Sequence, residues 1–252
     1  MTTSNKTRNR SFRGGGAMYL REIGSVAGLF AVGNADSLQF AINEEKQTQR
    51  NFQNPGGGNI ASESSITDVT ASINVLSINP RIAALALRGL VTTQESASIS
   101  DESHLGYKDM FIPLDFLPDF SQTLTVTDDG ASTTYVANTD YLIRNNGIFI
   151  TPDSNIVEGD ELKITYTSKD SYSIETITKS AVEYEMFFDG FNEADSGKAV
   201  SVRCHRIAFS PAQALSLITE DFGALPMDFE VLADGGKDGT TESQYFVVVL
   251  EQ

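Results

Sequence analysis

Two histidines and one cysteine bound the chemistry open to this chain. Cys204 and His205 are neighbours and would suit a thiol nucleophile with its base, provided sulfur and imidazole came within hydrogen-bond reach. They sit in a run where Val200, Val202 and Cys204 alternate with Ser201, Arg203 and His205. Successive strand side chains point to opposite faces, so this pattern separates the pair and makes Cys204 a small core residue. His104 is the other histidine, so one chain cannot build a three-histidine metal centre, nor a multi-cysteine zinc or iron–sulfur site. The triple glycines at 14–16 and 56–58 lack the Lys-Ser/Thr that completes a phosphate loop and read as hinges. Asp128-Asp129-Gly130 is too short for a calcium loop and fits a hairpin turn. Acids abound, yet no spacing singles out a catalytic pair. The expectation is a protein that is not an enzyme, with no catalytic, cofactor-binding or metal-binding residue and no cofactor.

Charge narrows the partners. Eighteen basic against 34 acidic residues give a net charge of −16 over 252 residues, 40% of them hydrophobic. That is enough apolar material for a core, and the wrong sign for gripping a phosphate backbone. No apolar run approaches the ~20 residues of a membrane span, and no apolar signal core follows the N-terminal bases. A soluble protein of a reducing compartment is expected, without membrane insertion. The charge is uneven. Lys6, Arg8, Arg10, Arg13 and Arg21 precede the first acid, whereas residues 95–195 hold 20 acids and five bases. Residues 1–17 read as a basic flexible arm. Lys6, Arg8, Arg10 and Arg13 are candidates for contact with an acidic neighbouring copy.

The dominant hydrophobic period is two, which means strands. Leu38, Phe40 and Ile42 alternate with Gln39 and Asn43, and Val69, Ala71, Ile73 and Val75 with Asp68, Thr70, Ser72 and Asn74. The polar stretch Glu44–Ser65 between them reads as a loop far longer than a hairpin needs, and so as a subunit contact carrying Gln49, Asn51 and Asn54. Asn79-Pro80 starts a short helix through Leu87. The order repeats near the C-terminus. Tyr184, Met186 and Phe188 alternate with Glu183 and Glu185, the run ending at His205 follows, and Ser210-Pro211 starts a second short helix, Ala212–Ile218. Final strands cover Leu225–Leu232 and Tyr245–Leu250. Residues 95–180 form an acidic β-rich insert between the halves 18–94 and 181–252. The chain is mainly β, with two short helices.

Gly33-Asn34-Ala35-Asp36-Ser37-Leu38, the polar stretch, and Asn79-Pro80 through Leu85-Ala86-Leu87-Arg88-Gly89 resemble the first half of bacteriophage major tail tube proteins. Phe188-Asp189-Gly190-Phe191-Asn192, Gly197-Lys198, Arg206-Ile207, Ser210-Pro211 and Leu232-Ala233-Asp234 follow in that family's order. The segment Asp140-Tyr141 to Ile164-Thr165-Tyr166 is similar to one seen within such chains. The resemblance implies a β-sandwich tail-tube fold that lends strands to a hexameric ring β-barrel, stacked into a virion tail through which the genome is ejected. Implied partners are the chain itself, a tape measure, a terminator, a baseplate or tip and, in a contractile tail, a sheath. Double-stranded DNA would pass without specific contact, and assembly would take place in the bacterial host cytoplasm. On this reading Gln39, Asn43, Asp68, Thr70, Ser72, Asn74, Glu183 and Glu185 face the lumen, while Arg203 and His205, which depart from an acidic face, meet a neighbouring subunit. The alternative is another β-rich virion or injection-machine component, such as a tail terminator. A β-sandwich carbohydrate-active protein is disfavoured by the absence of tryptophan and of a distinguishable acid pair.

Overall fold

The computed structural model describes residues 11–53, 55–220 and 222–252. Lys6, Arg8, Arg10 and Asn54 therefore lie outside the described residues. The chain runs through β1 (Gly14–Glu22), β2 (Phe30–Ala31), β3 (Ala35–Arg50), β4 (Asn59–Val75) and helix α1 (Pro80–Ala86). Next come β5 (Leu90–Gln94), β6 (Ser98–Leu105), β7 (Phe111–Pro113), β8 (Thr125–Asp128), β9 (Thr134–Tyr135), β10 (Tyr141–Arg144), β11 (Gly147–Ile150), β12 (Glu161–Thr167) and β13 (Ser171–Glu175). The last strands are β14 (Glu183–Asn192), β15 (Lys198–Phe209), β16 (Leu225–Val231) and β17 (Phe246–Leu250). Two compact units result: the described residues up to Leu90 together with Glu175–Gln252, and Val91–Ile174. The insert expected at 95–180 thus starts and ends earlier. Ile177 and Thr178 already donate backbone hydrogen bonds to Leu87 and Arg88 of the first unit.

The first unit is one antiparallel sheet in the order β2-β1-β14-β15-β16-β4-β3, with β17 also pairing β15. Its strands alternate as the sequence does, because one face buries a core. Met18, Leu20, Met186, Cys204 and Ile207 close one part of that core. Met227, Phe229, Ala71 and Ile73 close the other, where the Phe229 ring meets Phe209 at 5.1 Å and Phe40 at 6.2 Å. Helix α1 forms because Asn79 Oδ1 accepts from the Ile82 amide at 2.9 Å, Pro80 needs no hydrogen-bond acceptor, and Ile82 and Ala86 reach the core.

Three expectations are corrected. The second helix, Ala212–Ile218, does not form. The Ser210 amide donates to Asp228 O and the Ala212 amide to Ala86 O, holding the chain extended, and Leu217 and Ile218 are 85% and 97% exposed, so no helical face is buried there. Glu44–Ser65 is not a loop. Register from Glu44↔Ile66 to Arg50↔Asn59 makes it the distal half of a long β3–β4 ribbon, joined by a turn. Its residues are exposed on both faces, so no alternation betrays the strands. Finally, Gly14-Gly15-Gly16 is no hinge ending an arm. These glycines are strand residues of β1, paired with Asn192, Phe191 and Gly190.

In the second unit β10-β11-β7 and β6-β12-β8-β9 form two antiparallel sheets, and β5 pairs β13. Ile112, Val126, Tyr141, Ile148, Ile150, Leu162 and Ile164 make its core. The mainly β class is as the periodicity implies, and the structure shows its sheets to be antiparallel.

Candidate functional site: the polar face of the first unit's sheet

Opposite the core, the sheet of the first unit presents a second, polar face. Cross-strand register assembles it. Asn43 lies opposite Asp68, Gln39 opposite Ser72, and Asn74 near Ser37 on β3 and β4. Across the next ladder, Ser72 faces Asp228 and Thr70 faces Glu230 of β16. Glu230 then faces Ala208 of β15, and Ala208 faces Glu183 of β14. Gln39, Asn43, Asp68, Thr70, Ser72, Asn74, Glu183 and Glu185, scattered over three strands, thereby share one surface. Asp228 and Glu230 were missed as its members. The signal was present, because Leu225, Met227, Phe229 and Val231 alternate with Pro226, Asp228 and Glu230.

Electrostatics divide this face in two. In the β1-β14-β15 sector Glu183 and Glu185 are matched by arginines. Arg21 reaches Glu185 at 2.6 Å, and Arg206 holds Glu183 through the Nε–Nη2 edge of its guanidinium at 2.8–3.1 Å, while its Nη1 donates to Ala233 O at 2.9 Å. Arg206 reaches this position through a bulge in which Tyr184 pairs Ile207 while Met186 pairs Cys204. Arg203 stacks its guanidinium over the Phe187 ring at 5.6 Å, and His205 sits beside it with Nε2 buried and unpartnered. Cys204 points the other way, into the core, so the two chemically suggestive neighbours are indeed divided between the faces. Burial alone pushes its thiol up to about 12, which suits packing and not nucleophilic attack.

In the β16-β4-β3 sector the polar groups bond among themselves. Asn43 Nδ2 donates to Asp68 at 3.1 Å, Asn74 Nδ2 donates to Asp36 at 3.0 Å, and Gln213 Nε2 donates to Asp228 at 3.0 Å. A groove of ≈ 580 Å³ runs here between Gln39, Asp68, Thr70, Ser72, Asp228 and Glu230. No group of three or more metal-ligating side chains occurs among the described residues. The surface is an acidic, amide-rich wall.

The remaining interface candidates lie elsewhere. Gln49 is on the exposed ribbon, and Asn51 closes its turn by accepting from the Gln53 amide at 2.9 Å. Arg13 is fastened to its own chain. Its amide donates to Asn192 Oδ1 at 2.9 Å, and its guanidinium pairs with Glu193 at 3.1 Å. No helix among the described residues is long and apolar enough to cross a membrane.

An open antiparallel sheet with one buried and one polar face is the class this unit defines. The chain belongs to the family described as Protein of unknown function UCP028589, whose model matches residues 11–249, across both units. None of the curated proteins matches the sequence.

Proposed function

We propose that this chain is a structural subunit that assembles with copies of itself into hexameric rings, stacked as the tail tube of a phage particle. One observation carries the reading: the first unit is an open sheet whose second face is polar and whose end strands, β2 and β3, have no outer neighbour among the described residues. Ring closure would join such edges and remove the hazard that open edges present. The polar face would then line an aqueous channel. Its acids repel duplex DNA, which carries about one charge per 1.7 Å of axis, so the polymer would slide without sticking. Most of the motifs resembling tail tube proteins fall on this unit, namely the segment from Gly33 into β3, α1, and the β14–β15 hairpin, while Asp140–Tyr166 lies in the second. Genome passage, virion localisation and the absence of catalysis all rest on this same proposal.

Electron microscopy of the purified full chain over a concentration series tests it. Six-fold rings or hollow tubes are expected. Discrete closed caps would favour a terminator, and a monodisperse monomer at every concentration would overturn the reading.

A further inference from the structure

The last strand, β17, is made of Phe246-Val247-Val248-Val249-Leu250. Among the described residues its one ladder is with β15, from Val200↔Leu250 to Cys204↔Phe246. Phe246 stacks on Phe40 at 5.3 Å, but Val247 to Leu250 remain 41–62% exposed on both faces of the strand. An uncharged apolar strand with an unpaired edge is what soluble monomers avoid. A second unpaired edge has the opposite composition. Strand β16 covers β4 only from Thr70 to Val75, so Asn59–Val69 pairs only with β3 among the described residues. This arm carries small side chains, Ala61, Ser62, Ser64 and Ser65, besides Ile60 and Ile66, and from Asn59 to Thr67 it stands exposed on both faces. A two-stranded ribbon is marginal in water unless something packs on it.

We propose that the open edge of β17 receives the outer edge of the β4 arm from a second copy of this chain, as an added β-strand. Charge selects this pairing. At −16 per chain, copies repel one another, so contact favours segments without acids. β17 has none, and Asn59–Ser65 has only Glu63, opposite Gln47 and next to Lys46, while across the ribbon this stretch faces one acid, Glu45, and two bases, Lys46 and Arg50. Shape agrees, because small side chains on the incoming strand leave room for three consecutive valines. Main-chain hydrogen bonds supply the attraction and alternate side chains the fit. The inference rests on self-assembly, and it names which edges meet.

The test uses full-length chains carrying one new cysteine each. V247C or V249C chains are mixed with S62C or S64C chains, assembled, and treated with a short bis-maleimide. Cys204 is fully buried and stays unreacted in the fold. At least one mixed pair should give a heterodimeric product on denaturing gels. No product from any of the four pairs, or bridging of V249C to itself alone, would overturn the proposal. Independently, V248K should raise the concentration for half-assembly at least tenfold with an unchanged circular dichroism spectrum, and unaltered assembly would count against it. Microscopy separates the two levels. Cross-links without rings uphold the edge pairing and sink the tube, whereas rings without cross-links do the reverse.

Discussion

The Phe188 ring occupies the space where a Cβ on Gly190 would sit, and it reaches across the ladder to cover Gly16, the cross-strand partner of Gly190. The glycines near the N-terminus therefore belong to packing, since an aromatic ring shields a strand pair that has no side chains of its own. Gly190→Ala should destabilise the protein by ~1–3 kcal/mol through overpacking, read as a lower urea midpoint. Gly130→Ala, whose added methyl meets nothing within 4 Å, should change stability by less than ~0.5 kcal/mol. Equal effects of the two would refute the packing role.

What the sequence disclosed follows from burial. Wherever one face of a strand is buried and the other wet, as at Val69–Val75 or Val200–Cys204, alternation located the strand and its core side. The distal ribbon escaped because neither of its faces is buried, leaving no hydrophobic period. Ser210-Pro211 misled because capping chemistry alone cannot hold a helix that has nothing to pack on. The inserted unit was visible through its acids and turns, but its main polar cluster was not. Glu102, Tyr166 and Asp115 come together only across the β6–β12 ladder and the following loop.

That cluster gives a pH-dependent prediction. The Glu102 side chain is 7% exposed and accepts from Tyr166 Oη at 2.5 Å, His104 Nε2 at 2.6 Å and the Asp115 amide at 3.0 Å. Burial opposes its ionisation, but the hydrogen bonds from Tyr166, His104 and Asp115 outweigh it and hold the carboxyl below its ordinary value of 4.5. A depressed folded value means the stabilisation is complete above pH 4.5 and is lost as pH falls through the folded value. Glu102→Gln should cost roughly 1–3 kcal/mol at pH 7. Its stability gap to wild type should narrow below pH 4.5 in thermal melts of the full chain. A gap independent of pH would show that packing, not charge, is lost.

Cys204 offers a probe of the first unit. Its thiol is buried and raised to about 12, so thiolate is scarce at pH 8 and no reagent reaches it. Native protein should react with a disulfide reagent at least a hundredfold more slowly than the same chain in denaturant, where one equivalent is released. Because the folded value is raised, this group stabilises the fold fully below its ordinary value of 9.0, and the contribution disappears as pH climbs through about 12. Rapid labelling at neutral pH would place Cys204 at the surface and overturn the core assignment.

Asn192 fastens the start of the described chain to the β14 turn. Its Oδ1 accepts from the Arg13 amide at 2.9 Å and from the Ala194 amide at 3.2 Å, while Nδ2 donates to Ser11 O at 3.0 Å. The Glu193 amide adds a bond to Arg13 O, and the residue itself is buried. Both ends of one amide are thus in use, and truncation would strand several backbone groups. Asn192→Ala should cost ~1–2 kcal/mol and speed tryptic cleavage after Arg13 several-fold, as followed by mass spectrometry. Asn192→Asp keeps both acceptor contacts but loses the donor to Ser11 and sets a second charge beside Glu193, so it should fall between the two. The exposed Arg13–Glu193 ion pair contributes less, ~0.2–1 kcal/mol, so Glu193→Gln should scarcely change cleavage. If Glu193→Gln released the segment as readily as Asn192→Ala, the ion pair and not the amide would be the fastening.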